Sequence, residues 1–158
     1  MNPLGAVVSL HLLHALRYRP LDPVDWLHHV TMIGVVAPLG YCVKGGRLLG
    51  HALFYLSGLP GSISYVMLLL VRLRYMSSSH ERHLSAAINL WLRGPGLSWH
   101  AMLSAIAFIE TLKGRVIQGC MVPKLLQPGA AAVLALGALW NGQYFMNLVI
   151  RSSERLLQ

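Results

Sequence analysis

Acidic side chains are the scarcest feature of this sequence. Only five of its 158 residues are Asp or Glu, and none lies between Lys44 and His80. Charged residues of both signs reach 11%, against about a quarter in an ordinary soluble domain. So little charge excludes a disordered chain, a coiled coil and most water-soluble enzymes. Cysteine is also sparse. Cys42 and Cys120 form no CxxC pair, which excludes a disulfide scaffold, and both are expected as buried small hydrophobes. There is no internal repeat, no low-complexity tract and no sign of a second domain, so residues 1–158 read as one integral membrane domain. Thirteen Lys and Arg leave a net charge of +8. They are scattered singly between apolar runs, without a basic stripe rich in aromatics, which argues against nucleic acid. Lipid phosphate or an acidic neighbouring subunit fits that pattern better.

What the sequence has in quantity is apolar chain: 55% hydrophobic residues and a mean hydropathy of +0.55. Two runs are long enough to cross a bilayer, which takes about 20 residues. The first opens at Pro23, with Asp22 as a candidate cap and Asp25 in the first turn, and closes at Lys44-Gly45-Gly46. Pro38 should kink it. The second runs from Pro128 to Ile150 and stops at Arg151; Asn141, Gln143 and Asn147 in its second half are suited to joining helices. Pro3–Leu16 is shorter and lacks the order of a signal peptide, so it reads as a short or interfacial helix.

Between these runs the punctuation predicts breaks. Gly58-Leu59-Pro60-Gly61 should interrupt an apolar stretch, with Ser62 capping a restart to Tyr75, giving a broken span or a re-entrant hairpin. Ser78 and Glu81 suggest a capping box. The helix that follows places Leu84, Ala87, Ile88, Trp91 and Leu92 on one face, with Arg82, Ser85, Asn89 and Arg93 elsewhere. It reads as an interfacial helix ended by Gly94-Pro95-Gly96, with Ser98 capping the next segment to Leu112. The fold class expected is all-α: a polytopic helical membrane bundle of about four to six membrane segments, some kinked or broken.

The eight histidines carry the chemistry. His11-x-x-His14 with His28-His29 has something of a di-iron histidine box, but the third box is missing and carboxylates are too few, so no metal is expected. Asp25 stands three residues before His28 and four before His29, where a carboxylate can orient an imidazole as a general base. Interfacial histidines bound to lipid phosphate or water are the plainer alternative, because spacing places no Ser or Cys nucleophile.

Asp25-Trp26-Leu27-His28-His29, opening an apolar helix, resembles the paired-histidine signature of TLC-domain membrane proteins. The stretch from Leu56 to Tyr65 falls where those proteins have a later helix facing the histidines, and the resemblance covers residues 22–75. It implies a polytopic α-helical fold and, since some members are ceramide synthases, lipid acyl transfer with His28, His29 and Asp25 as the catalytic set. The chain departs from the ceramide synthases in lacking the acidic element that follows their paired histidines, as its acid-free stretch between Lys44 and His80 shows. The departure implies inactivity in that reaction.

The function expected is therefore a non-catalytic, lipid-interacting integral membrane subunit of a larger organelle-membrane complex, with the TLC-like acyl-transfer enzyme as the alternative. Small residues at Ala101–Ala107 and Ala130–Ala138, and the Gly46-x-x-x-Gly50 pair, would serve helix contacts. Arg17, Arg19, Arg47, Arg72, Arg74 and Trp91 are the candidate lipid-binding residues. The expected partners are membrane lipids, a bound phospholipid among them, and other subunits of a hetero-oligomeric complex; no cofactor is expected. Anionic lipids that reward Lys and Arg favour the mitochondrial inner membrane, with the endoplasmic reticulum as the alternative.

Overall fold

The computed structural model of the chain describes residues 3–17, 23–43 and 46–155, with the side chains of Pro3, His14 and Arg47 outside that description. Among the described residues the secondary structure is entirely helical. Five continuous helices follow in order: α1 (Pro3–Arg17), α2 (Pro23–Val43), α3 (residues 46–72), α4 (residues 78–112) and α5 (Gln127–Glu154). Three stretches are long and apolar enough to cross a membrane: Pro23–Val43, Leu48–Arg72 and Lys124–Glu154. The two runs opened by Pro23 and Pro128 are thus helices of spanning length, while α1 is apolar but shorter.

The expected breaks are not breaks. Both α3 and α4 continue through their Gly-Pro signals, and the same device appears in α2. A single π turn stands two residues ahead of each proline: Met32–Val36 before Pro38, Phe54–Gly58 before Pro60, Asn89–Arg93 before Pro95. A helical proline offers no N–H and presses its ring on the carbonyl four residues back. Widening the preceding turn relieves that clash while the backbone stays bonded, as Ala37 N–H donates to Met32 O and Gly94 N–H to Asn89 O. Two serines add bonds beside the prolines: Ser64 Oγ donates to Pro60 O and Ser98 Oγ to Gly94 O, both at 2.9 Å. The re-entrant hairpin at Gly58 and the caps at Ser62 and Ser98 are therefore corrected to turns inside two long helices. At the start of α4 the cap is Ser77, whose side chain accepts from His80 N–H, rather than Ser78. The cap assigned to Asp22 and the stop at Lys44-Gly45 lie outside the described residues.

Three pairs of helices pack antiparallel: α4 with α5, α2 with α5, and α3 with α4. His83 meets Ser153 at one end of α4 and α5, and Gly94 lies against Met146, Leu97 against Gly142, and Ser98 against Gln143 along their length. In the same sense α2 crosses α5 at His28–Phe145, Val36–Gly137 and Gly40–Leu134. Between α3 and α4 the contacts are His51–His100, Tyr55–Gly96 and Gly61–Arg93. Small residues allow this closeness: Ala101, Ala130, Ala131, Ala135 and Ala138 are buried inside the bundle. They seal this chain's own helices and so are not available as partner faces. Gly50 is different, with nothing within 4 Å of a built Cβ. The loop between α4 and α5 is held by buried Gln127, which accepts from Ile117 N–H and donates to Val122 O, and by Met121 N–H donating to Cys42 O at the end of α2. Both cysteines are free and half-buried rather than buried.

α4 turns its polar stripe toward the bundle and its apolar face away from it. Its apolar face looks outward, with Leu84 at 37% and Trp91 at 78% exposure, while Ser85 (9%) and Asn89 (1%) are buried against the bundle. A helix at a water surface does the opposite.

Candidate functional site

Glu81, Ser85, Asn89 and Arg93 recur every four residues and so share one stripe of α4. Ser85 Oγ donates to Glu81 Oε1 at 2.7 Å, Asn89 Nδ2 to Ser85 O at 2.8 Å, and Arg93 Nη1 to Asn89 Oδ1 at 3.2 Å. The chain of bonds carries polarity from the exposed start of the helix to a guanidinium inside the bundle. Arg93 lines a central cavity of about 490 Å³.

All five helices contribute to that cavity. Its walls are mainly apolar: Leu4 and Val7 from α1, Met32 and Val43 from α2, Leu48 and Leu53 from α3, Ala107 from α4, Leu134 from α5. The polar lining is uneven. His11, His28, Tyr65 and Arg93 come together near one end, since His28 packs on Phe145 and Arg93 adjoins Gly94, which faces Met146, the residue next to Phe145 on α5. His100, Ser104 and Asn141 lie farther along, and the end toward Val43, Leu48 and Ile117 is apolar. His100 stacks on His51 at 5.7 Å between ring centroids and is 3.4 Å from Ser104 Oγ.

Beside the polar end is a smaller cleft of about 200 Å³ lined by His11, Asp25, His28, His29, Tyr65 and Phe145. The rings of His11, His28 and His29 form a triangle with centroids 5.3–6.0 Å apart. The sequence-predicted set Asp25, His28 and His29 is thus brought together, and α1 adds His11 to it. Buried His29 opens toward the cleft, and His28 touches both cleft and cavity. The side chain of His14 lies outside the described residues. Among the described residues, no group of three or more His, Cys, Asp or Glu is placed to hold a metal ion.

The predicted lipid-binding residues fare differently. Arg17, Arg72 and Arg74 are exposed and end α1 and α3 on the side of the bundle where α2 begins. Arg74 takes a left-handed φ of 64° where the chain leaves α3. Trp91 is exposed on the outer face of α4. Arg19 lies outside the described residues, as does the side chain of Arg47. Arg17, Arg72, Arg74 and Trp91 do not line the cavity. The residue that does, Arg93, reads in sequence as one more flank cation ahead of Gly-Pro-Gly. The signal that marks it is the four-residue recurrence of polar side chains on an otherwise apolar helix.

At the opposite end of the bundle, Lys113 Nζ and Arg115 Nη1 reach the two Glu110 oxygens at 3.0 and 2.5 Å. The hydrogen bond from Lys113 and the charge of Arg115 hold the Glu110 carboxyl below the usual carboxylate range.

Compared with known proteins, the chain matches no protein-family model, no curated protein and no solved structure.

Proposed function

We propose that this chain is a non-catalytic, lipid-interacting membrane protein that holds one amphiphile inside its helical bundle. One observation carries the reading: a cavity of about 490 Å³ has mainly apolar walls, gathers His11, His28, Tyr65 and Arg93 near one end, and is apolar at the other, with His100, Ser104 and Asn141 between. Its size is that of a ligand site, and its asymmetry matches a molecule with a chain and a head. The inverted α4 supports a lipid surround on a fourth side. With its apolar face outward and its polar stripe inward, α4 serves as a further membrane segment beside the three apolar spans. That brings the count to four.

The proposal includes an accessory place in a larger complex of an organelle membrane, the mitochondrial inner membrane ahead of the endoplasmic reticulum. The net charge of +8, with Arg17, Arg72 and Arg74 exposed at helix ends, supports contact with anionic lipid there. Gly50 offers an open small-residue position for a neighbouring helix.

The test is retention of lipid. The full chain, purified in mild detergent, is extracted and its lipids identified by mass spectrometry. One lipid species near stoichiometric amount is expected, and Ala107→Phe, which fills the cavity wall, should strip it. Lipid recovered equally from both proteins would contradict the reading. Co-eluting membrane proteins in the same preparation test the place in a complex.

A second reading rests on the gathering of His11, His28 and His29 with Asp25 around one cleft beside the cavity. Such a set suits TLC-like acyl transfer, with a histidine as base and Asp25 as its orienting group. Acyl-CoA turnover that disappears in a folded H28A/H29A variant would favour it over the non-catalytic reading.

A further inference from the structure

We propose that the amphiphile is a single-chain carboxylate, a fatty acid, and that Arg93 is its counter-ion. The inference rests on the lipid-holding reading above and names the ligand's head.

Arg93 lies deep for a cation. Its neighbour Gly94 faces Met146, five residues inside Arg151 on α5, or about 7.5 Å at the helical rise. A guanidinium stays charged at any ordinary pH. Charged groups at such depth turn to the bundle interior and meet a partner. The two ion pairs among the described residues both belong to Glu110, at the other end of the bundle. Arg93 is thus a cation lining an apolar cavity with no carboxylate within salt-bridge distance among the described residues.

Its hydrogen bonding shows which part of the group remains for a ligand. Nη1 is engaged by Asn89 Oδ1, and Asn89 is itself fixed by Ser85 O. Nε is buried without a hydrogen-bond partner. Nε and Nη2 together form the side edge of the guanidinium, the fork that takes both oxygens of a carboxylate. Beside Nη2 stands Gly61, whose built Cβ would remain 3.9 Å away, so no side chain fills that flank. Tyr65 and His28, on the same cavity wall, supply further polar atoms near the head. Beyond them the cavity continues between apolar walls toward Val43 and Ile117. A lone acyl chain suits a space of about 490 Å³ better than the paired chains of a phospholipid. A fatty acid matches each part: one planar anion, one chain, no bulky headgroup.

The experiment uses cis-parinaric acid, a naturally fluorescent fatty acid, and its methyl ester, titrated onto the full chain in detergent. The acid should bind wild type saturably and roughly tenfold or more tighter than the ester. Arg93→Gln should abolish that difference and leave ester binding unchanged. Arg93→Lys, which keeps the charge and loses the fork, should fall between. Helical content and thermal unfolding identify any variant that fails to fold, and Gly61→Leu then serves as the second probe: it crowds Nη2, leaves Arg93 in place and should weaken the acid selectively. Equal binding of acid and ester by wild type, or full acid binding by folded Arg93→Gln, would overturn the proposal. If acid and ester bind equally and Ala107→Phe abolishes both, the lipid-holding reading survives and the carboxylate assignment falls. If neither binds wild type, or Ala107→Phe changes nothing, both fall.

Discussion

Leu97 is fully buried against Gly142, where a Cβ built on the glycine would stand 2.9 Å from Leu97 Cβ. That pair sets the separation of α4 and α5. Because the opposing atom is next to the backbone, the contact cannot relax by a side-chain rotation alone. Gly142→Ala should therefore destabilise the bundle by about 1–3 kcal/mol through overpacking. Thermal unfolding in detergent checks this. Gly50→Ala, on an open face, should be nearly neutral in the same assay.

The π turn of residues 54–58 exists because Pro60 follows it. Pro60→Ala removes the ring clash and restores an N–H donor. The turn should then tighten toward ordinary α-helix, and hydrogen exchange at residues 54–58 should slow. Unchanged exchange would show that Gly58, with its ψ of −111°, sets the distortion without the proline.

Acid should loosen the loop end of the bundle. The Glu110 carboxyl is held low by the hydrogen bond from Lys113 and the charge of Arg115. A group depressed in the folded state contributes stability above its unfolded value, and that contribution is lost as pH falls through the folded value. Amide exchange around residues 110–116 should accelerate between neutral and strongly acidic pH in the wild type. Glu110→Gln should show the faster exchange already at neutral pH, with little further change on acidification.

The helices of spanning length opened by Pro23 and Pro128 were legible because each combines a start signal with about 21 mainly apolar residues. Gly58-Pro60 and Gly94-Pro95 misled for a physical reason. In water a Gly-Pro pair ends a helix cheaply, since solvent bonds the freed groups. Inside a helix of spanning length such as Leu48–Arg72 the backbone must stay bonded, and a π turn keeps the helix continuous. The periodicity of α4 was legible, but its direction was not: one pattern serves a helix with its polar residues outward and one that packs its polar residues against the bundle. Asp25, His28 and His29 stood out by local spacing. Their meeting with His11 depends on how α1 packs, and Arg93 gains its place only from contacts with α3 and α5. Long-range packing of that kind leaves no local mark beyond the polar stripe.

The most direct measurement places a nitroxide at Leu136 on α5 and at Leu69 on α3, both more than half exposed, in a chain with Cys42 and Cys120 replaced by serine. In liposomes, power saturation compares collisions with oxygen, which concentrates in hydrocarbon, against a water-soluble nickel chelate. Strong oxygen and weak nickel accessibility at both sites is the predicted result. Nickel accessibility equal to that of an aqueous control at Arg74 would contradict the account.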